Sequence, residues 1–344
     1  MKIFSRLESV MAMKKRISIS DIAKALGTSI TTVSFILNGK AKERRISDAL
    51  TKRVLDYVKK VGYKPSQLVR NAPGGQTKVL ALLFEDINHP FFSEVGKHIE
   101  RIAAESGYHI VHCNTGNDTR KISQLIRLCV DKEIDGVLMT PSEDLEETIL
   151  KIKKQHIPTV LFDRFIPTVD THYVISDNRK GAYDASKHLL EMGSKRVGLV
   201  SLYSNQTQMR ARLDGYMDAM DEFQQQSFIK KLNVGGPDRE IGEQIVEFIV
   251  DNKLDAVLFA NHYLAIGGLK AIKGQPIVLP RMVTFDDHVL FTLHSPAVSV
   301  VAQDAEKVAV ELMQTLTAEI EGKLKEERKV VVPCTLIVRE SSTS

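Results

Sequence analysis

From residue 79 to residue 302 the chain alternates short apolar runs with stretches of helical periodicity. That rhythm restricts the possible fold more than any other feature. The runs VLALLF (79–84), YHIVHC (108–113), DGVLMT (135–140), PTVLF (158–162), RVGLVS (196–201), DAVLFA (255–260), RMVTF (281–285) and VSVVA (298–302) have the length of strands. Between them lie segments such as FSEVGKHIERIAAESG, where apolar residues recur at steps of three and four. Near-continuously apolar strands that alternate with helices belong in parallel sheets covered on both faces. Roughly nine such units exceed one ordinary sheet, so two doubly wound α/β lobes are expected.

Open α/β sheets bind ligands beyond the carboxyl ends of their strands. After VLALLF comes EDINHPFF, with His89, Phe91 and Phe92; after PTVLF come Asp163 and Arg164; after the fifth strand, MRARLDGY carries Arg212. DAVLFA is followed by Asn261, RMVTF by Asp286 and VSVVA by Gln303. Such an inventory suits a polyol. Carboxylate and amide oxygens accept from hydroxyls, Arg and amide N–H groups donate to them, and an aromatic face packs on the C–H side. Each polar residue taken singly also reads as a helix cap or turn; the set of strand ends argues for a site.

The first 76 residues have a different character. They hold 16 Lys and Arg against 5 Asp and Glu, a net of +11, whereas the remainder holds 31 against 38, a net of −7. A small basic head on a mildly acidic body points to a polyanion partner for the head. Within it, Ile19, Ile22, Ala23 and Leu26 form one helical stripe, with Ser18 and Asp21 as a weak capping-box start, and Gly27 stops the helix. Thr28 and Ser29 open a second helix whose inward face is Val33, Ile36 and Leu37 and which ends near Asn38-Gly39. A third helix is expected from Ser47 to Val61, with Gly62 as its stop. The outward face of the second helix presents Ser29, Ile30, Thr31, Ser34, Phe35 and Asn38. Hydroxyls and an amide there can meet base edges in a major groove, and apolar atoms can meet thymine methyls. The competing reading is a three-helix protein-interaction module.

The stretch ISDIAKALGTSITTVSFILNG resembles the headpiece of the lactose-repressor (LacI) family of bacterial transcription regulators, and GYKPSQLVR (62–70) resembles that family's hinge helix. The resemblance implies Ile30, Thr31 and Phe35 as the main base readers; with the rest of the helix face and the hinge, the expected DNA-binding set is Thr28, Ser29, Ile30, Thr31, Ser34, Phe35 and Asn38 in the head and Lys64, Pro65, Ser66 and Arg70 in the hinge. Three departures stand out. Phe35 occupies a position usually Arg or His, GKAKERRISD is about three residues longer than the common form, and Ala72 falls where a Leu wedge is usual. The order HPFF, FDR, RxxG, N, FD, Q is in turn similar to periplasmic sugar-binding proteins and to the effector domains of the same family. It implies His89, Phe91, Phe92, Asp163, Arg164, Arg212, Asn261, Asp286 and Gln303 as effector contacts. His89 replaces a usual Asn and His262 a common Asp.

The implied organisation is an N-terminal extension (1–13), a headpiece (14–63), a hinge and linker (64–76), a first lobe (77–175 and 304–325) and a second lobe (176–303 and 326–344). Met13 reads as a natural start, and a chain ending in ESSTS lacks a Leu-rich tetramer-forming helix, so a homodimer is expected. No apolar run approaches the ~20 residues of a membrane span, and no secretory signal is visible. Cys113, Cys129 and Cys334 share no metal-like spacing, which fits a reducing cytoplasm. Neither a metal nor a cofactor is expected. Phosphate-loop, H-E-x-x-H and G-x-S-x-G motifs are absent, so the chain is not read as an enzyme. The expected function is a DNA-binding transcription regulator, by default a repressor. Its partners would be double-stranded operator DNA and a monosaccharide-type effector, with no membrane. A nucleoside or purine effector, or a sugar-binding protein that does not bind DNA, are the alternatives.

Overall fold

The computed structural model describes residues 19–37, 39–61, 77–233, 238–273, 275 and 277–343. It divides at Thr77 into a small helical unit and a large α/β unit.

Among the described residues the small unit holds three helices: α1 (Ile19–Leu26), α2 (Ile30–Leu37) and α3 (Asp48–Lys60). Gly27 closes α1 at φ 63°, in the left-handed region that costs glycine nothing. Thr28 N–H then donates to Ala23 O at 3.0 Å and Gly27 N–H to Lys24 O at 3.3 Å, the paired bonds of a Schellman stop. Two residues on, the Ser29 hydroxyl accepts from Thr32 N–H at 3.0 Å and opens α2. Ser47 does the same for Leu50 N–H at the start of α3. Ile22, Ala23, Val33, Ile36 and Val54 are buried together, with Leu26, Leu37, Leu50 and Val58 packed around them. The long turn after α2 is tied into this core through Ala41, and Ile46 N–H donates to Ala41 O at 2.9 Å.

In the large unit, the strands of the first lobe are β1 (Val79–Phe84), β2 (His109–Asn114), β3 (Gly136–Met139), β4 (Thr159–Phe162) and β5 (His172–Ser176). The helices α4 (Pro90–Glu105), α5 (Thr119–Asp131) and α6 (Glu146–Lys154) connect them. The chain then enters a second lobe through α7 (Asn178–Glu191), β6 (Val197–Leu202), α8 (Thr207–Glu222), β7 (Phe228–Leu232), α9 (Asp238–Asp251) and β8 (Ala256–Phe259). That lobe continues with α10 (His262–Ile272), β9 (Arg281–Phe285), α11 (Val289–Leu293) and β10 (Ser299–Gln303). It returns to the first lobe as α12 (Ala305–Ile320) and β11 (Lys329–Val332), and ends in the second as β12 (Cys334–Ile337) and a turn of 3₁₀ helix at Glu340–Ser342.

Each sheet has six strands, ordered β11-β5-β4-β3-β1-β2 and β12-β10-β9-β8-β6-β7. All neighbours are parallel except β10 and β12. The two orders superpose strand for strand, so β4 and β9, or β1 and β6, hold equivalent places. One expectation fails here. The last apolar run was assigned whole to the second lobe, yet Lys329–Val332 pairs with β5 of the first sheet and only Cys334–Ile337 pairs with β10 of the second. Pro333 sits at the switch, where a residue without an N–H cannot continue a ladder. β5 and β7 were not foreseen.

No helix among the described residues is long and apolar enough to cross a membrane.

Candidate functional site

The carboxyl ends of β1, β4, β6, β8, β9 and β10 surround a cavity of about 350 Å³ between the lobes. Small-molecule sites typically fall in the range ~300–1,000 Å³. Eight of the nine expected residues line it: His89, Phe92, Asp163, Arg164, Arg212, Asn261, Asp286 and Gln303. Phe91 does not. Neighbours on a helix point about 100° apart: both rings pack in the first lobe's core, but Phe92 also borders the cavity, whereas Phe91 faces a neighbouring pocket beside Ala302 and Ala305.

Local structure places each side chain. Pro90 starts α4, and His89 precedes it in extended backbone with no side-chain capping bond, leaving the ring free to reach the opposite lobe. Its Nε2 lies 3.6 Å from Asp286 Oδ2. Asn261 is both cap and lining. Its Oδ1 accepts from Leu264 N–H at 3.0 Å to start α10, which leaves the amide N–H groups for the cavity. Arg212 depends on a close helix contact. A Cβ on Gly215 would stand 2.0 Å from Arg179 O, so only glycine lets α8 press against α7. Arg212 Nε thereby reaches Asn178 Oδ1 at 2.8 Å, Nη1 donates to Ala260 O, and the guanidinium lies 4.0 Å over the Phe285 ring.

The two arginines differ in what they leave over. Arg164 is consumed by the protein. Its Nε donates to Pro141 O at 2.7 Å, Nη1 to Asp163 at 3.3 Å, and Nη2 to Glu85 at 2.7 Å and Asn117 at 3.1 Å. It is a clamp across three strand ends. Arg212, by contrast, faces Asp286 Oδ2 across 3.9 Å, and Gln303 Nε2 holds the other carboxylate oxygen at 2.6 Å.

Proton affinities follow from these surroundings. Asp163 is buried, and desolvation pushes its carboxyl up to about 6 despite Arg164 and Arg212. Asp286 is as deeply buried, but Arg212, His89 and His262 outweigh desolvation and hold it below the ordinary carboxylate range. Burial also lowers His89, against the pull of Asp286.

Of the nine lining residues outside the expected set, two bear directly on Arg212 and Asp286. Gln208 stands one turn before Arg212 on α8, 4 % exposed, and its i, i+4 spacing from Arg212 was the available signal. His262, which stands where the family commonly has Asp, is the second. Its ring meets His89 edge-on at 4.5 Å, and its Nδ1 is 3.9 Å from Asp286 Oδ2. Buried side-chain atoms without a hydrogen-bond partner among the described residues include Gln208 Oε1, Gln303 Oε1, His89 Nδ1 and His262 Nδ1. All four belong to cavity-lining residues. At the rim, Glu143 of the first lobe accepts from Asn205 N–H at 2.8 Å and from the Ser204 hydroxyl at 3.3 Å in the second. Phe165 N–H donates to the Thr207 hydroxyl at 3.3 Å.

In the helical unit Ser29, Ile30 and Thr31 are exposed, Ile30 at 50 %, and Thr28, Ser34 and Phe35 are half-buried. Arg44, from the long turn, lays its guanidinium 4.8 Å over the Phe35 ring. Asn38, Lys64, Pro65, Ser66, Arg70 and Ala72 lie outside the described residues.

Residues 76–310 match the family described as periplasmic binding proteins and the sugar-binding domain of the LacI family. Residues 18–66 match the bacterial regulatory proteins of the lacI family. The HTH-type transcriptional regulator DegA of Bacillus subtilis (strain 168) is 29 % identical over 336 residues, covering 95 % of this chain and 98 % of its own. The HTH-type transcriptional repressor PurR of Mannheimia succiniciproducens is 26 % identical over 330 residues, covering 94 % and 98 %. Among solved structures, the Cra transcriptional dual regulator from Pseudomonas putida, in complex with fructose 1-phosphate, aligns at a TM-score of 0.70. Its identity is 19 %, over 76 % of this chain and 99 % of that one, a likeness of fold. With a helix-turn-helix unit followed by two parallel-sheet lobes, the chain belongs to the LacI family of DNA-binding transcription regulators.

Proposed function

We propose that this regulator is a repressor whose operator affinity is set by a neutral, hydroxyl-rich small molecule, a monosaccharide or close derivative, bound between the lobes. The supporting observation is the group of buried Arg212, Asp286 and Gln208 with half-buried Gln303, in which the Oε1 atoms of both glutamines are left unpaired. A buried polar group without a partner costs about 1–3 kcal/mol. Sugar hydroxyls, each donor and acceptor at once, relieve several such atoms together. Phe92 supplies the apolar wall against which a pyranose or furanose face packs.

Ligation across the cavity favours the closed arrangement that Glu143 and Phe165 already latch at the rim, and so shifts the lobe equilibrium. That shift reaches the DNA through residues 62–76. The reading includes a homodimer on a near-palindromic operator, working in the cytoplasm and without catalysis. On the head, Ile30, Thr31, Ser34 and Phe35 face the major groove, and Arg44, propped on Phe35, adds a cation beside them.

A thermal-shift panel of pentoses, hexoses, nucleosides and purine bases tests the effector class, because a specific ligand raises melting by mass action. The reading requires a response to a neutral sugar that is absent in Arg212→Ala. A response confined to purines or nucleosides would replace it.

A further inference from the structure

Three side chains distant in sequence converge at one corner of the cavity: His89 from the first lobe, and His262 and Asp286 from the second. One ring nitrogen of each histidine and one oxygen of Asp286 lie within 4.8 Å of one another. We infer that His89, His262 and Asp286 hold a divalent transition-metal ion, of the borderline-soft kind typified by Zn²⁺, and that this ion takes part in effector capture. The inference rests on the reading of the cavity as the effector site.

Geometry is the first argument. His89 Nε2 and His262 Nδ1 stand 3.6 Å and 3.9 Å from Asp286 Oδ2. Both distances are within about half an ångström of the roughly 3.4 Å edge of a tetrahedral site with ~2.1 Å bonds. Imidazole nitrogens with a single carboxylate form a donor set suited to Zn²⁺, Co²⁺, Ni²⁺ or Fe²⁺, not to the all-oxygen preference of Mg²⁺ or Ca²⁺. Orientation is the second. Gln303 Nε2 donates to Asp286 Oδ1 at 2.6 Å, which leaves Oδ2 turned toward the histidines. The His288 ring lies parallel to that of His262 at 5.9 Å. The His262 Nδ1 has no hydrogen-bond partner among the described residues, so ligation would break no protein bond there.

Charge is the third argument. Carboxylates lining the cavity are Glu85, Asp86, Asp163 and Asp286, against the guanidiniums of Arg164 and Arg212. Asp86 is exposed to solvent, so three carboxylates face two guanidiniums inside the cavity, an excess of one negative charge that a neutral sugar leaves in place and a cation offsets. Three protein ligands also leave at least one coordination position open to the cavity, where an effector hydroxyl can bind. Because the ligands come from both lobes, the ion would tie the closed arrangement together.

The test uses the full-length protein stripped with EDTA and titrated with Co²⁺, read by its d–d absorption, with Zn²⁺ as competitor. One Co²⁺ per chain, displaced by Zn²⁺ and weakened at least ~100-fold in both His89→Ala and His262→Ala, is the expected result. Equal Co²⁺ spectra from wild type and His262→Ala would overturn the inference. So would thiolate charge-transfer bands, which would put the ion on a cysteine. The thermal response to sugars, measured in parallel with EDTA present, reports on the cavity separately. A sugar response unchanged by EDTA denies the ion its part in capture and leaves the effector reading standing.

Discussion

Asp163 and Asp286 occupy equivalent places in the two lobes and hold their protons oppositely. Each follows the equivalent strand of its sheet, β4 or β9, and each adopts φ 68°. Each also donates its backbone N–H to the next strand, at 3.2 Å to Val174 O and 3.0 Å to Val301 O. Aspartate tolerates this left-handed backbone better than most residues, and the turn aims the carboxylate into the cavity. Backbone and burial are the same; neighbours are not. Asp163 has Arg164, whose donors are divided among Glu85, Asn117 and Pro141 O as well. Asp286 has Arg212, two imidazoles and the Gln303 amide. Repetition of the fold thus supplies two carboxylates, and the side chains brought from other elements decide which is anchored as an anion and which is poised to accept a proton or a hydroxyl.

The largest effect that would break this contrast comes from Arg212. Arg212→Ala leaves Asp286 a buried, under-compensated charge, for which a cost of about 3–5 kcal/mol is expected. Effector affinity should fall at least ~100-fold by calorimetry. The operator affinity of the ligand-free protein should stay within a factor of about two, since the substitution lies outside the helical unit. Arg164→Ala would by contrast destabilise the first lobe's strand ends, and its loss of effector affinity would accompany the loss of folded protein.

Paired isosteric changes sharpen the contrast. Asp163, with its pKa raised to about 6, disfavours the folded state once ionised; its contribution to stability falls as pH rises from about 4 to about 6 and stays low above. Asp163→Asn should therefore raise the melting temperature of ligand-free protein at pH 8, and raise it less at pH 5. A two-unit shift corresponds to about 3 kcal/mol at the higher pH. Asp286, held below the ordinary range, contributes stability above about pH 4 that is lost as the pH drops further. Asp286→Asn should accordingly lower the melting temperature at pH 7. Differential scanning calorimetry of both variants at three pH values checks the opposite signs; changes of one sign would erase the distinction between the lobes.

Smaller effects are expected at the edges. Glu143→Ala removes two bonds across the rim and should weaken effector binding by about 1–2 kcal/mol, chiefly as a faster off-rate. In the head, Arg44→Ala should lower operator affinity about 3- to 10-fold and reduce its salt slope, measured by fluorescence anisotropy on a selected duplex.

Much of this architecture was legible in the sequence because parallel strands buried on both faces are apolar throughout, as β1, β3 and β8 are. The two strands that were missed lack that mark. β7 (FIKKL) is the free edge of its sheet and keeps two lysines, and β5 (HYVIS) alternates in burial beside β11. Strand-end polar residues were legible because the fold dictates where ligands enter. Phe91 was misjudged since HPFF does not say which ring the helix turns inward. Gln208 and His262 lay inside helices, where position relative to Arg212 and Asp286 depends on packing that one sequence does not display. The division of the last apolar run at Pro333 was signalled by the proline itself.

The most direct measurement is operator binding with and without effector in matched proteins. Wild type and Arg212→Ala would be titrated onto a selected operator duplex by fluorescence anisotropy, with the neutral sugar that gives the largest thermal shift as effector. A change in wild-type affinity of at least ~5-fold, absent in Arg212→Ala, is predicted. An affinity indifferent to every sugar that binds, or an equal response from Arg212→Ala, would contradict the account.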